Sequence, residues 1–168
     1  MTTPHAFTPD AQNARAFRSA LGRFGTGITV VTAPSQLGPV GVTANSFSSV
    51  SMDPPLVLWS PSKSSRRGVH FLRATHFAVH VLSQDQAAIG NGFAKNAFAF
   101  DGLDWGRGPG DVPLIHGCLA RFECRRHAIH DGGDHHIVVG HVDRVTTADI
   151  TDPLLFFGGQ YGRFQTAG

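Results

Sequence analysis

Two long runs, Cys118 to Asp131 and His135 to Thr147, meet at Asp131-Gly132-Gly133-Asp134. Glycines flanked by aspartates mark a turn, so the pattern reads as two long strands folded back as a hairpin. Twenty Gly and ten Pro add many further turns and leave little room for long helices. The chain is therefore expected to be mainly β.

The other elements follow from local signals. Residues 1 to about 9 have no periodicity and read as a loose or partner-bound tail. From Asp10, a cap and the helical spacing of Ala14, Phe17, Leu21 and Phe24 predict a helix, ended by Gly25 and Gly27. Ile28 to Ala33 is a strand by β-branched content, and Pro34 to Pro39 a connection. Val40 to Trp59 reads as two strands flanking a segment of small polar residues, interrupted at Asp53-Pro54-Pro55. Ser62, Ser64 or Ser65 is expected to cap a short helix that turns Val69 and Leu72 inward.

His76 to Ser83 alternates as a strand, with Phe77, Val79 and Val81 on one face and Ala78, His80 and Leu82 on the other. Ser83 with Gln86 matches a capping box, which predicts a helix running to about Phe93. Lys95 to Val112 reads as loop, and Leu154 to Phe157 as a last short apolar run. With six or more strands and two or three short helices, the expectation is an antiparallel barrel with helices packed against it. The 168 residues suit one domain, 1–168, with a sizeable core.

Composition removes several functions. A formal charge of +2, with only the Arg66-Arg67 and Arg125-Arg126 pairs as basic clusters, gives no nucleic-acid stripe. No apolar run reaches the ~20 residues of a membrane span, and no leader pattern opens the chain, so a cytoplasmic protein is expected. Cys118 and Cys124, six apart in what reads as one strand, would lie ~20 Å apart and stay free thiols. His127, His130, His135 and His136 alternate in direction along the hairpin, which argues against a metal. There is no G-x-S-x-G and no paired-carboxylate spacing. Gly106 to Gly110 is a poor phosphate loop, because Pro109 intervenes and no helix follows.

What remains is a cleft suited to a cofactor that carries its own reactivity. The small side chains of Thr43, Asn45, Ser46, Ser48, Ser49 and Ser51 would let a planar ligand approach the backbone, although an ordinary strand with a polar face would look the same. Lys63, Arg66 and the serines at the start of the expected helix suit a phosphate, and equally a capped surface helix.

The chain resembles the flavin reductase-like family, small NAD(P)H-dependent reductases that feed reduced flavin to a partner monooxygenase. The resemblance rests on FRSALGRFGTGITVVTA from Phe17, GVTANSFSSVSMDPPLVLW from Gly41, SKSSR from Ser62, HDGGDHHIVVGHV from His130 and LLFFGGQYGRF from Leu154, in the family's order. It implies an antiparallel split β-barrel of the FMN-binding, Greek-key type, a homodimer, and hydride transfer from NADH or NADPH to FMN or FAD.

By resemblance, Asn45, Ser46, Phe47, Ser48 and Ser49 would line the flavin. Ser62, Lys63, Ser64, Ser65 and Arg66 would hold its phosphate end, with Lys95 and Phe100 as further flavin contacts. His135, in Gly133-Asp134-His135, would meet the nicotinamide, with Ser51, Met52, Asp53, Pro54 and Tyr161 on that side. The family often carries an arginine where this chain reads Gly158-Gly159-Gln160. A flavin-binding sensor or carrier without reductase turnover is the alternative.

Overall fold

The hairpin forms the spine of the structure, a computed structural model that describes residues 5–149 and 152–166. Along the chain, α1 (Ala14–Leu21) leads through the two-residue β1 (Thr26–Gly27) to the strand pair β2 (Thr29–Ser35) and β3 (Gly38–Ala44). A second pair follows, β4 (Ser48–Met52) and β5 (Pro55–Trp59), then α2 (Gly68–Arg73) and β6 (His76–Val81). A 3-10 turn, Gln84–Gln86, opens α3 (Ala87–Lys95), and the short β7 (Trp105–Arg107) and β8 (Pro113–Ile115) precede the hairpin strands β9 (Ala120–Gly132) and β10 (His135–Thr147). The chain closes with β11 (Leu155–Phe157) and β12 (Gln160–Gly162).

Gly132 pairs with His135, so the turn itself is only Gly133-Asp134, and Gly133 takes the left-handed φ of +76° that such a turn demands. Register shifts at Val139/Gly140 and Val142/Arg144 bend the hairpin and divide its labour. The base of β9 pairs with β6, while Val138 to His141 of β10 pair with β5. The resulting antiparallel sheet runs β3-β2-β6-β9-β10-β5-β4.

This sheet is covered on both faces, as alternation along β2 and β6 shows. Val31, Phe77 and Val79 enter one core with Val57, Trp59 and Phe71. Val30 enters the other, with Ile28, Leu82, Phe93, Phe100 and Ile115. Each fully enclosed side chain of this size contributes about 1.5–3 kcal/mol. His80 lies on the second face, wholly buried between the Val30 carbonyl and the Ile115 N–H, each 3.0 Å from a ring nitrogen.

Several expectations change. The helix expected from Asp10 begins at Ala14, because the Asp10 carboxylate accepts the Gln12 and Asn13 N–H groups in a turn just ahead of it. Its apolar side is open: Phe17, Leu21 and Phe24 are 45%, 60% and 79% exposed. The stretch Val40 to Trp59 holds three strands, not two, since the serine-rich part pairs with β5 as an edge strand. The helix after Ser62 starts at Gly68, no serine side chain caps it, and it buries Phe71 and leaves Val69 exposed. Lys95 to Val112 contains the strand β7, which pairs with β8 just beyond it. Cys118 precedes β9, and both cysteines are free and buried. Of the expected tail, Met1 to Pro4 lie outside the described residues.

Candidate active site

A cavity of about 690 Å³ opens where the ends of β3 and β5, the Ser62–Gly68 connection, α2 and the hairpin tip converge. That volume is within the ~300–1,000 Å³ usual for small-molecule sites. Val42, Trp59, Phe71 and Ile137 give it apolar surface, and Asn45, Ser46, Ser62, Ser65, Arg67 and His135 give it polar groups. Among the described residues, no group of three His, Cys, Asp or Glu side chains comes together as a metal site would need.

Backbone hydrogen bonds assemble this mouth. The Lys63 N–H donates to the Asp134 carbonyl and the His136 N–H to the Pro61 carbonyl, both at 2.9 Å, and Ser62 and His135 pair as an isolated bridge. The connection after β5 is thereby laid against the hairpin tip, and Ser62 stands beside His135 although the two are far apart in sequence. Lys63 also forms an ion pair with Asp131, whose other carboxylate oxygen accepts the Gly133 N–H at 3.1 Å. The lysine hydrogen bond, with that N–H second, holds the Asp131 carboxyl below its ordinary range.

His135 Nδ1 lies 2.8 Å from Asp134 Oδ1. A carboxylate only accepts, so Nδ1 donates and Nε2 is left for another partner. This hydrogen bond, followed by the charge of His135, lowers the Asp134 carboxyl. Ser46 works differently: its Oγ accepts the Ser60 N–H at 2.9 Å and also reaches the Ser60 carbonyl at 3.4 Å. The hydroxyl clasps the ends of β3 and β5, and what Ser46 offers a ligand is backbone.

Arg67 spans the cavity wall to α3. Its Nη1 donates to the Phe93 carbonyl at 2.7 Å, and its Nη2 to those of Ala94 and Lys95 at 3.1 and 2.9 Å. A neighbouring basin of about 380 Å³ shares Ser62, Ser65 and Gly68 with the cavity and is lined by Lys63, Arg66 and His136.

The sequence profile described as Flavin reductase like domain matches residues 21–165. The chain belongs to the flavin reductase-like family. It is 58% identical over 164 residues to an FMN reductase (NADH), SmoA, of Agrobacterium fabrum, covering 98% of this chain and 94% of that protein. It is 37% identical over 162 residues to HsaB of Rhodococcus jostii, the reductase subunit of a flavin-dependent monooxygenase, covering 96% and 83%. The solved NADH:FAD oxidoreductase SgcE6 of Streptomyces globisporus superposes with a TM-score of 0.89 at 38% identity, over 99% of this chain and 96% of that one.

The residues that resemblance to the flavin reductase-like family assigns to ligands are distributed unevenly. Asn45, Ser46, Ser62, Ser65 and His135 line the cavity. Lys63 and Arg66 border the adjoining basin, and the Ser64 hydroxyl lies 2.9 Å from that of Ser62. Phe47 instead turns onto Phe122, ring centroids 5.4 Å apart, and Ser48 and Ser49 are exposed on β4. Phe100 is enclosed between Phe93 and Trp105 at 4.9 and 5.0 Å, so it is a core residue with no face left for a ligand. Lys95 is exposed at the end of α3.

Ser51, Met52, Asp53 and Pro54 lie on β4 and the turn after it, outside the cavity lining, with Met52 fully open. Tyr161 packs on Phe156 and does not line the cavity either. Trp59, Arg67, Phe71 and Ala94 line it without having been picked from the sequence. Arg67 stands next to the chosen Arg66, and only the placement of α2 and α3 tells the two apart.

Proposed function

We propose that the chain is an NAD(P)H-dependent flavin reductase that passes a hydride from NADH or NADPH to FMN or FAD and supplies reduced flavin to a partner monooxygenase. The observation that carries this reading is the junction of Ser62 and His135 at one cavity. The donor set fits a flavin: Trp59, Phe71 and Ile137 offer apolar surface to a planar ring, and Ser62, Ser65 and Arg67 offer hydroxyls and a cation to a phosphorylated chain. When bound, the flavin accepts the hydride that the nicotinamide supplies. The protein's own part is to position both and to exclude water, and His135, oriented by Asp134, would meet the nicotinamide. The names of the relatives, an NADH-dependent FMN reductase and a monooxygenase reductase subunit, support the same assignment.

The test is steady-state oxidation of NADH and NADPH by the purified protein against FMN, FAD and riboflavin. Flavin-dependent oxidation is expected. Stable NADH and NADPH with every flavin would overturn the reading, and retained yellow colour without turnover would leave a flavin carrier.

Four structural readings accompany this function. The first is a split β-barrel, supported by distance: six strand spacings of ~4.8 Å would put the edge strands β3 and β4 of a flat sheet ~29 Å apart. Yet residues 45–47 alone join them, a link of at most ~14 Å, which favours a sheet curled so that its edges approach. The second is a homodimer, supported by the open apolar face of α1. The third is one domain over 1–168, supported by the match over residues 21–165. The fourth is a cytoplasmic location, supported by two free cysteines. No helix among the described residues is long and apolar enough to cross a membrane.

A further inference from the structure

We infer that Arg67 sets a preference for phosphorylated over unphosphorylated flavin by covering the negative end of α3 where that helix borders the cavity; this rests on the flavin reductase reading. The last four carbonyls of a helix lack intrahelical partners and carry about half a negative charge between them. In α3 these belong to Gly92, Phe93, Ala94 and Lys95, and Ala94 lines the cavity. The Asn96 N–H satisfies the Gly92 carbonyl at 2.9 Å, and among the described residues Arg67 alone takes the other three, through Nη1 and Nη2. Without Arg67, that wall would turn bare carbonyl oxygens towards an anionic ligand.

The placement of charge makes Arg67 distinctive. Lys63 is paired with Asp131, and Arg66 borders the adjoining basin. Among the described residues lining the cavity, Arg67 is the one permanent cation, and no carboxylate among the described residues forms a salt bridge with it. A guanidinium carries five N–H groups, and three are spent on α3. Nε–H and the second Nη1 hydrogen remain for a ligand. The fork holds the Ser62–Gly68 connection to α3 and reverses the sign of the wall between them. A phosphate responds to that sign, whereas the ring and hydroxyls of riboflavin do not.

The experiment measures FMN and riboflavin binding by flavin fluorescence quenching, with NADH oxidation in parallel, for the wild-type chain, Arg67→Gln and Arg67→Lys. Wild type is expected to bind FMN more tightly than riboflavin. Arg67→Gln, which keeps a donor for one carbonyl but no charge, is expected to weaken FMN about tenfold while riboflavin stays within about twofold. Arg67→Lys is expected to retain the preference for FMN. Equal losses for both flavins in Arg67→Gln would make Arg67 merely structural and overturn the inference, as would no loss, loss of the preference in Arg67→Lys, or a wild type that does not distinguish the flavins. A wild type that binds FMN but oxidises no pyridine nucleotide would sink the reductase reading, while the binding ratio would still decide the role of Arg67.

Discussion

His80 is wholly enclosed, and both ring nitrogens are used. Nδ1 donates to the Val30 carbonyl and Nε2 accepts the Ile115 N–H, which fixes a neutral imidazole. Burial is the main reason its pKa falls from 6.5 to about 3. Between those values the unfolded chain holds a proton that the folded chain refuses, so His80 stabilises fully above 6.5 and this contribution is lost as pH falls. Denaturant unfolding at pH 5 is therefore expected to give about 2 kcal/mol less stability from this residue than at pH 7. The check is His80→Leu, which should be less stable at pH 7 yet show a flatter pH dependence over that interval. At the hairpin tip, His135→Ala is expected to raise the KM for pyridine nucleotide about tenfold, with a smaller change for flavin. Asp134→Asn should move the same constant in the same direction, because a neutral amide orients the imidazole less strongly than a carboxylate. Steady-state kinetics with each substrate varied decides both, and a larger effect on flavin KM would remove the nicotinamide assignment.

Helix α3 shows how one element is held by unlike devices. Ser83 and Gln86 open it as a capping box, with the Ser83 N–H 3.2 Å from Gln86 Oε1. Thr43 Oγ1 donates to the Gly90 carbonyl at 2.6 Å, the Gly41 N–H donates to the Ala97 carbonyl at 2.8 Å, and Arg67 closes the far end. Phe93 lies flat against Gly41: a Cβ there would stand 2.5 Å from the ring. Gly41→Ala is accordingly expected to cost about 1–3 kcal/mol in thermal or denaturant unfolding and to raise the KM for flavin, since it pushes α3 off the wall that Ala94 completes. Combining it with Phe93→Leu should return part of the stability. The start of α3 was legible in its capping box, whereas α2 was misplaced because three nearby serines all resemble caps. Ser65 instead accepts the Gly68 N–H through its carbonyl in a turn, and the helix begins only after it.

The open side of α1 concerns the assembled protein. Phe17 and Leu21 share one helical face, Phe24 follows, and the Gly158 N–H ties the β11–β12 hairpin to the Gly22 carbonyl, which sets the exposed Phe157 close by. An apolar surface of this kind on a helix that buries no residue of its own supports the proposed homodimer. Light scattering is expected to give twice the chain mass for the wild-type protein. Leu21→Asp should shift it towards the monomer while leaving the far-ultraviolet circular dichroism unchanged, and a monomeric wild type would remove the dimer. Helical spacing marks this face as apolar; periodicity says nothing of which molecule, if any, packs on it.

The sequence by itself determined the antiparallel class, the hairpin and the alternation of β6. These are local patterns of turn chemistry and periodicity, and they act over a few residues. Only the tertiary structure decided which side chain of each segment lines the cavity. Ser46 and Ser62 line the cavity while Ser48 and Ser49 do not, because pairing with β5 makes those two part of an exposed edge strand. Arg67 was separated from Arg66, and Phe100 was moved into the core, by the packing of α3 against β3, a contact between segments that no spacing along the chain records.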